Sequence, residues 1–226
     1  MSGVSRAEHR AAYAAGRALR VVNWHNTPAS QEAQLRWELS QYAARCTPVA
    51  LTDLDAWFET GRWASERPGF VPVFYDGYRN GSGVAARVCD ELGLRAAFFP
   101  PTAFLSTPVP EQRAFAAAHD IDLVPEEDSL GRLAMTWDEL GSIAERHDVC
   151  GHTASHAQAA SVTSADDVRR EVTEPLRLLA ERCGAPPLAW AWLRGTPFEP
   201  ASAAGRALLD AGVRYVVSNT MVERVQ

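Results

Sequence analysis

Hydrophobic residues along this chain occur in short runs that alternate with longer amphipathic segments. The most continuous run, at 70–74, lies between Pro68-Gly69 and Gly77, which is typical of a strand buried on both faces. Further short apolar runs predict strands at 19–24, 95–99, 148–150, 188–193 and 213–218. Amphipathic segments predict helices at 31–46, 82–93, 136–147, 164–183 and 201–211.

Strands that alternate with helices at this spacing indicate right-handed β-α-β crossovers and a mostly parallel sheet, either open or closed into a barrel. Two segments stand outside the alternation. Residues 1–18 are rich in alanine and arginine and predict a helical extension. Residues 100–134 contain Pro108, Pro110 and Pro125 and predict a long irregular excursion, a kind of segment that is often functional or mobile.

Composition bounds the class of protein. The 226 residues, 46% hydrophobic and 22% charged, are typical of one globular domain spanning 1–226. A formal charge of −6 argues against nucleic acid as a partner, because phosphate binding normally needs a basic face. No secretory signal and no run of eighteen apolar residues is visible, so we expect a cytoplasmic protein without a membrane partner. The widely spaced cysteines 46, 89, 150 and 183 predict reduced, buried thiols.

Several polar residues follow predicted strands, where ligands of parallel sheets gather. His152 and His156 are four residues apart, a spacing that can aim two imidazoles at one point. Asp76 ends the apolar run at 70–74 and precedes Gly77, so it is a candidate third metal ligand, although Asp-Gly is also a common turn. His25 follows the first predicted strand.

In this order and spacing, VFYDG at 73–77 and HTASH at 152–156 resemble the polysaccharide deacetylase family, also called NodB-type or carbohydrate esterase family four. The family's first motif is TFDDG and its second is H-S/T-x-x-H, and the similarity extends from about Trp24 to Asn219. The resemblance implies a distorted (β/α)7 barrel. It also implies that Asp76, His152 and His156 bind a divalent metal, for which zinc is the first expectation and iron, cobalt and nickel are alternatives.

The chain departs from the family pattern at several places. The first aspartate of TFDDG, which acts as the general base, is replaced by Tyr75, whose phenol is a poor base or a hydrogen-bond donor or simply an aromatic core residue. His25 is the candidate replacement acid or base. Arg194 loosely echoes the family's third motif, and Trp192 is a candidate sugar-binding ring.

The family's late histidine has no counterpart, because no histidine follows His156. The chain also ends early, so we expect a barrel that lacks its last strand. An unpaired edge of this kind would favour a homo-oligomer.

These features lead to the hypothesis of a metal-dependent hydrolase that removes an acetyl group from an N-acetylated sugar or small metabolite. One alternative is a catalytically impaired, deacetylase-like binding module, because both the base and the acid of the family are missing. Another is oxygen-dependent chemistry at iron, since two histidines and one carboxylate also serve oxygenases.

Overall fold

The computed structural model describes residues 6–63 and 65–226. Its strands are β1 (Leu19–Trp24), β2 (Thr47–Pro48), β3 (Gly69–Tyr75), β4 (Ala97–Phe99), β5 (Asp148–Val149), β6 (Gly151–His152), β7 (Ala189–Ala191), β8 (Tyr215–Val217) and β9 (Val222–Arg224). Its α-helices are α1 (Arg6–Ala14), α2 (Glu32–Arg45), α3 (Leu54–Thr60), α4 (Arg87–Glu91), α5 (Thr102–Ser106), α6 (Gln112–Ala118), α7 (Trp137–Ala144), α8 (Ala165–Val168), α9 (Glu174–Cys183) and α10 (Ala203–Asp210). None of these helices is long and apolar enough to cross a bilayer.

The strands form two sheets. The first has the order β1-β3-β4-β5 with β2 beside the start of β3, and the second has the order β6-β7-β8-β9. All pairs are parallel except β8 with β9, which are antiparallel. Only Cys150 separates β5 from β6, so one extended segment passes from the first sheet into the second. The predicted α/β class with a mostly parallel sheet is confirmed.

The predicted barrel is not confirmed, because the sheets do not close within the described residues. After β8 the chain turns back through 218–221 and pairs antiparallel as β9, so it does not supply a parallel neighbour for β1. Two isolated hydrogen bonds span the gap: the backbone N of Val21 to the carbonyl O of Thr220 (3.5 Å), and Nδ2 of Asn23 to the carbonyl O of Asn219 (2.8 Å). These bonds bring the edges together without forming a ladder.

Helices cover the outer faces, and a shared apolar cluster fills the space between the two sheets. That inner cluster takes Val21, Val73 and Phe99 from the first sheet and Ala191 and Val217 from the second. Alternate strand residues face the helices instead, as period-two packing requires. Because both faces of β3, β4, β7 and β8 are buried, these strands form continuous apolar runs in the sequence.

Two segments lie outside the predicted alternation of strands and helices. The helical extension at 1–18 contains α1, and its part at 1–5 lies outside the described residues. The excursion at 100–134 was wrongly predicted to be irregular. It contains α5, α6 and two 3₁₀ turns, and Phe104, Ala116 and Ile121 give it an apolar cluster of its own around Tyr78. Pro108, Pro110 and Pro125 lie at the starts of 3₁₀ turns, where a missing N–H costs nothing.

Replacing Gly151 by alanine is expected to destabilise the fold by about 1–3 kcal/mol, because small-to-large changes in packed cores strain the neighbours. A Cβ at Gly151 would lie 2.4 Å from Cε3 of the fully buried Trp190. Urea denaturation measures the loss. Gly83→Ala is the matched control, since nothing lies within 4 Å of its Cβ position and helical alanine is favoured over glycine. Equal midpoints for the two variants would contradict the packing argument.

Candidate active site

The candidate site lies at the carboxyl ends of strands from both sheets. His25 follows β1, Asp76 follows β3, and His152 is the last residue of β6. The paired parallel strands β1 and β3 end at the same edge of the first sheet, so His25 and Asp76, 51 positions apart, meet there. His152 reaches them from the second sheet, into which the chain passes through Cys150. His156 completes the group four residues after His152. The structure therefore brings His25, Asp76, His152 and His156 together.

A tight left-handed turn places the carboxylate of Asp76. Asp76 and Gly77 both have positive φ angles, +67° and +68°. Aspartate tolerates this conformation, whereas at position 77 a Cβ would lie 2.7 Å from Cδ1 of Leu105. The backbone N of Asp76 donates to the carbonyl O of Phe99 (3.2 Å), which ties the turn to β4. The aspartate is consequently buried, with 3% of its surface exposed.

When its ring is neutral, His156 faces Asp76 through a nitrogen that has no proton to donate. Its Nδ1 lies 2.7 Å from the carbonyl O of His119, and a carbonyl only accepts, so Nδ1 carries the proton. In the neutral ring Nε2 is then a lone pair, 3.2 Å from Oδ1 of Asp76. Oδ1 is buried and has no hydrogen-bond partner among the described residues. Two acceptors this close need a cation or a proton between them.

A hydrogen-bond chain determines the tautomer of His152 as well. The hydroxyl of Thr153 donates to the carbonyl O of Ala157 (3.0 Å), so its oxygen accepts from Nδ1–H of His152 (3.2 Å). Nε2 of His152 therefore also carries a lone pair and no proton. Hydrogen bonds of this kind to the non-ligating nitrogen are typical of metal-binding histidines, because they hold the ring and raise its basicity.

The donor atoms suit a divalent metal ion such as zinc, with two imidazole nitrogens and one carboxylate oxygen. The rings of His152 and His156 lie 5.0 Å apart between centroids. Two imidazoles that share one zinc through Zn–N bonds of about 2.0–2.1 Å have centroids roughly 5 Å apart. In the described part of the chain, however, no three His, Cys, Asp or Glu side chains already form a complete ligand set. The pair of Asp76 and His156 is in place, with His152 beside it.

His25 contacts the second oxygen of Asp76. Its Nδ1 lies 2.8 Å from Oδ2, and its side chain is 49% exposed. Burial alone would raise the pKa of Asp76, but His156 and His25 outweigh it and hold that pKa well below its usual range. The carboxylate therefore accepts, Nδ1 of His25 carries the proton, and Nε2 of the neutral ring is free to exchange one. This arrangement is that of a general base oriented by a carboxylate.

Tyr75 lies in the inner apolar cluster, with its ring 5.2 Å from that of His25. The side chain is buried, and its hydroxyl has no hydrogen-bond partner among the described residues. Burial, and then the nearby Cys150 and Asp76, raise the pKa of Tyr75 well above its usual value. The phenol therefore stays neutral, and it can donate a hydrogen bond but cannot act as a base.

The other two predicted site residues lie further out. Arg194 is in a 3₁₀ turn after β7, and its Nη2 pairs with Oδ2 of Asp120 at 2.8 Å. Trp192 is 5% exposed, packs edge-on against Trp190, and lines a small cavity of about 220 Å³. Because Trp192 is buried, it offers no open surface to a sugar outside that cavity. Both assignments stay predictions.

Sequence reasoning missed the residues that hold the two motif loops. Glu171, buried in a π-helical turn at 169–173, accepts from the backbone N of Ser155 (2.9 Å) and from its hydroxyl (3.0 Å). A π-helical turn in a longer helix often marks a functional site, because it redirects one side chain. The only signal in the sequence was an acidic residue within a predicted helix, which is common on surfaces.

A second group of residues that the sequence did not reveal connects the excursion to the site. Glu127 is 1% exposed, and its carboxylate accepts from Nδ2 of Asn80 (3.0 Å) and from Nδ2 of Asn26 (2.7 Å). Asn26 follows His25, and Asn80 follows the turn at Asp76, so one buried carboxylate connects the loops after β1 and β3 to the excursion. A glutamate in a polar, proline-containing segment looks solvent-exposed in sequence.

Neither a protein-family model nor a curated protein sequence matches this chain. Solved structures do. A de-N-acetylase from Aggregatibacter actinomycetemcomitans aligns with a TM-score of 0.65 at 15% identity over 92% of this chain and 90% of that one. IcaB from Ammonifex degensii aligns with a TM-score of 0.65 at 15% identity over 88% and 82%. The chain has the polysaccharide-deacetylase fold.

A third structure with this fold is the Streptococcus pyogenes deacetylase PplD in complex with acetate, with a TM-score of 0.60 at 10% identity over 86% of this chain and 80% of that one. The polysaccharide-deacetylase fold confirms the resemblance seen in the motifs at the level of architecture. Identities this low establish the fold and not the chemistry.

In the metal-free protein, stability is expected to fall as the pH decreases from about 6.5 towards 3. Burial, and then His156, lower the pKa of His152 to about 3, whereas histidine in an unfolded chain titrates near ~6.5. Between these values the unfolded state binds a proton that the folded state does not. The neutral His152 therefore contributes stability above the unfolded pKa, and this is lost on acidification.

His156 acts in the opposite sense. Burial works to lower the pKa of His156, but Asp76 outweighs burial and raises this pKa. The contribution of His156 to folding stability is therefore present at low pH and lost at high pH. Comparison with His152→Gln, which cannot titrate, isolates His152. Between pH 7 and 4 in EDTA, we expect the wild type to lose about 3 kcal/mol more than the variant in urea titrations. Parallel pH curves would contradict a buried neutral His152.

Proposed function

We propose that this protein is a metal-dependent hydrolase that removes an acetyl group from an N-acetylated sugar. One observation carries the proposal: Oδ1 of Asp76, buried and without a hydrogen-bond partner among the described residues, faces the lone pair of His156 Nε2 at 3.2 Å. The hydrogen bonds that orient His152 and the fold shared with named deacetylases support it.

Asp76, His152 and His156 are the residues that would hold the ion. A divalent ion bound there would supply an activated water and polarise the amide carbonyl. Zinc suits the donor set, and iron, cobalt and nickel accept the same ligands.

His25 is proposed as the general base, and Tyr75 as a donor to the developing oxyanion. His25 is partly exposed and oriented by Asp76, so its Nε2 can take a proton from water and return it to the leaving amine. Tyr75 stays neutral and has an unused hydroxyl proton. A positioned neutral donor of this kind stabilises negative charge that develops on a carbonyl oxygen. Arg194 pairs with Asp120 and is given no direct role in the reaction.

The test combines metal analysis with an assay of acetate release. The purified protein, stripped with a chelator and reloaded with zinc, is incubated with N-acetylglucosamine and its short oligomers. We expect one bound zinc per chain and acetate release that requires it. Stoichiometric zinc without acetate from any of these substrates would support the impaired, binding-module alternative. Absence of zinc binding would refute the proposed site.

A further inference from the structure

Four residues other than glycine adopt positive φ angles in the described part of the chain, and all four lie in one connected group. They are Asp76 (+67°), Asp120 (+57°), His156 (+60°) and Arg194 (+61°). Left-handed backbone is disfavoured for residues with a Cβ, and it persists only where the surroundings hold it. Residues from the turn after β3, the excursion, the HTASH loop and the turn after β7 thus share this feature around one site.

Contacts connect these four residues one after another. Oδ1 of Asp76 lies 3.2 Å from Nε2 of His156, and Nδ1 of His156 donates to the carbonyl of His119 at 2.7 Å. The next residue, Asp120, pairs with Arg194 at 2.8 Å. The turn at 119–120 therefore connects the inner histidine to an arginine at the surface.

Besides the hydrogen bond that it accepts from His156, three contacts matter for the position of the turn at 119–120. The ring of His119 packs on Phe115 at 4.2 Å between centroids, and Ile121 is buried with its backbone N donating to the carbonyl of Ala116 (3.1 Å). The third contact is the ion pair with Arg194. It joins the turn to the segment after β7, whereas the first two contacts lie within the excursion. Without it, the His119 carbonyl is positioned by contacts within the excursion and by the hydroxyl of Tyr78, which donates to the carbonyl O of Asp122 (2.7 Å).

We propose that Asp120 and Arg194 are positioning residues for His156. Their ion pair holds the turn whose carbonyl keeps the proton of His156 on Nδ1, and so directs the Nε2 lone pair at Asp76. The role assigned to Arg194 is thus to orient a metal ligand through Asp120. The inference rests on the proposed function in taking His156 as a ligand, but the tautomer of His156 can be measured without metal or substrate.

The expected effects are modest, because the two side chains are 68% and 58% exposed and exposed pairs shift equilibria by at most a few-fold. In Asp120→Asn and in Arg194→Gln we expect zinc affinity, measured by chelator competition, to fall about 3- to 5-fold. The double variant should lose no more than the larger single loss, because one interaction is removed. Asparagine at 120 tolerates the left-handed backbone, so the change removes charge alone.

The decisive readout is the ¹⁵N spectrum of the histidine rings in the metal-free protein at alkaline pH. The wild type should show His156 in a single Nδ1–H tautomer, and both variants should show a mixture. Arg194→Lys, which keeps the charge, should restore most of the wild-type pattern. Arg177→Gln is the matched control, since Arg177 is an exposed arginine paired with Glu174 and Glu181 on α9, and it should change neither quantity.

A single Nδ1–H tautomer in Asp120→Asn and Arg194→Gln would overturn the proposal. So would affinity losses no different from those of Arg177→Gln. If the wild type binds no zinc, the proposed function fails, and the tautomer spectra still decide whether the pair positions His156. Urea midpoints of all variants within the range of the control would exclude general unfolding as the cause of a mixed tautomer.

Discussion

Replacing Asp76 by asparagine is expected to abolish stoichiometric zinc binding and to reduce acetate release at least about 10³-fold. The change removes the one anionic donor of the proposed ligand set and the charge that orients His25. Asparagine keeps the size of the side chain and tolerates the φ of +67° at this position, so the variant should fold. Chelator competition and acetate assays measure both losses.

The control for this substitution is Asp166→Asn, which makes the same chemical change at an 85% exposed side chain paired with Arg169. It should leave zinc binding and turnover unchanged. Circular dichroism of both variants checks that the fold is retained. Wild-type zinc affinity in Asp76→Asn would show that the unpaired carboxylate oxygen is not a ligand, and the proposed function would then lose its main support.

His25→Gln is expected to lower kcat by roughly 10²–10⁴, the usual contribution of a general base, while zinc affinity stays within about tenfold. The glutamine amide can still donate to Oδ2 of Asp76, so the hydrogen bond at 2.8 Å has a replacement. What glutamine lacks is a titratable nitrogen. We therefore expect the limb of the pH–rate profile that reports the base to disappear, which is measured by kcat between pH 5 and 9.

Chemical rescue provides the complementary test. Because 49% of the His25 side chain is exposed, added imidazole should reach the space left by His25→Ala and restore part of the activity. Rescue that saturates with imidazole, and is absent for Asp76→Asn, supports proton transfer at this position. If His25→Gln turns over like the wild type, the base is another group and the assignment to His25 is wrong.

Much of the fold could be predicted because the signals are local. β1 has the bounds predicted from its apolar run, Leu19–Trp24. The helix predicted from Thr136 begins as expected: the backbone N of Glu139 donates to Oγ1 of Thr136 (3.2 Å), and the backbone N of Thr136 donates to the Glu139 carboxylate (2.7 Å). The spacing of hydrophobic residues and the capping of helices involve only a few neighbouring residues, so both can be recognised before any tertiary contact is known.

Prediction failed where local preferences were weak. The strand expected at 95–99 is shorter, Ala97–Phe99, because the backbone N of Ala96 donates to Nδ1 of His147 (3.3 Å) and not to a neighbouring strand. The excursion was expected to be irregular because of its prolines, yet burial of Phe104 and Ile121 gives it ordered helices. Tertiary packing outweighs weak propensity in both cases.

The sequence alone determined where the strands lie along the chain, that Asp76, His152 and His156 lie at or after strand ends, and that the chain resembles deacetylases. These features could be predicted because hydrophobic periodicity and motif spacing are properties of neighbouring positions. Closure of the sheet, the tautomer of His156, and the roles of Asp120, Glu127 and Glu171 depend on groups that meet only after folding, across separations of 16 to 101 residues. Such contacts leave no periodic trace along the chain, since each is a single pair brought together by the packing of whole elements.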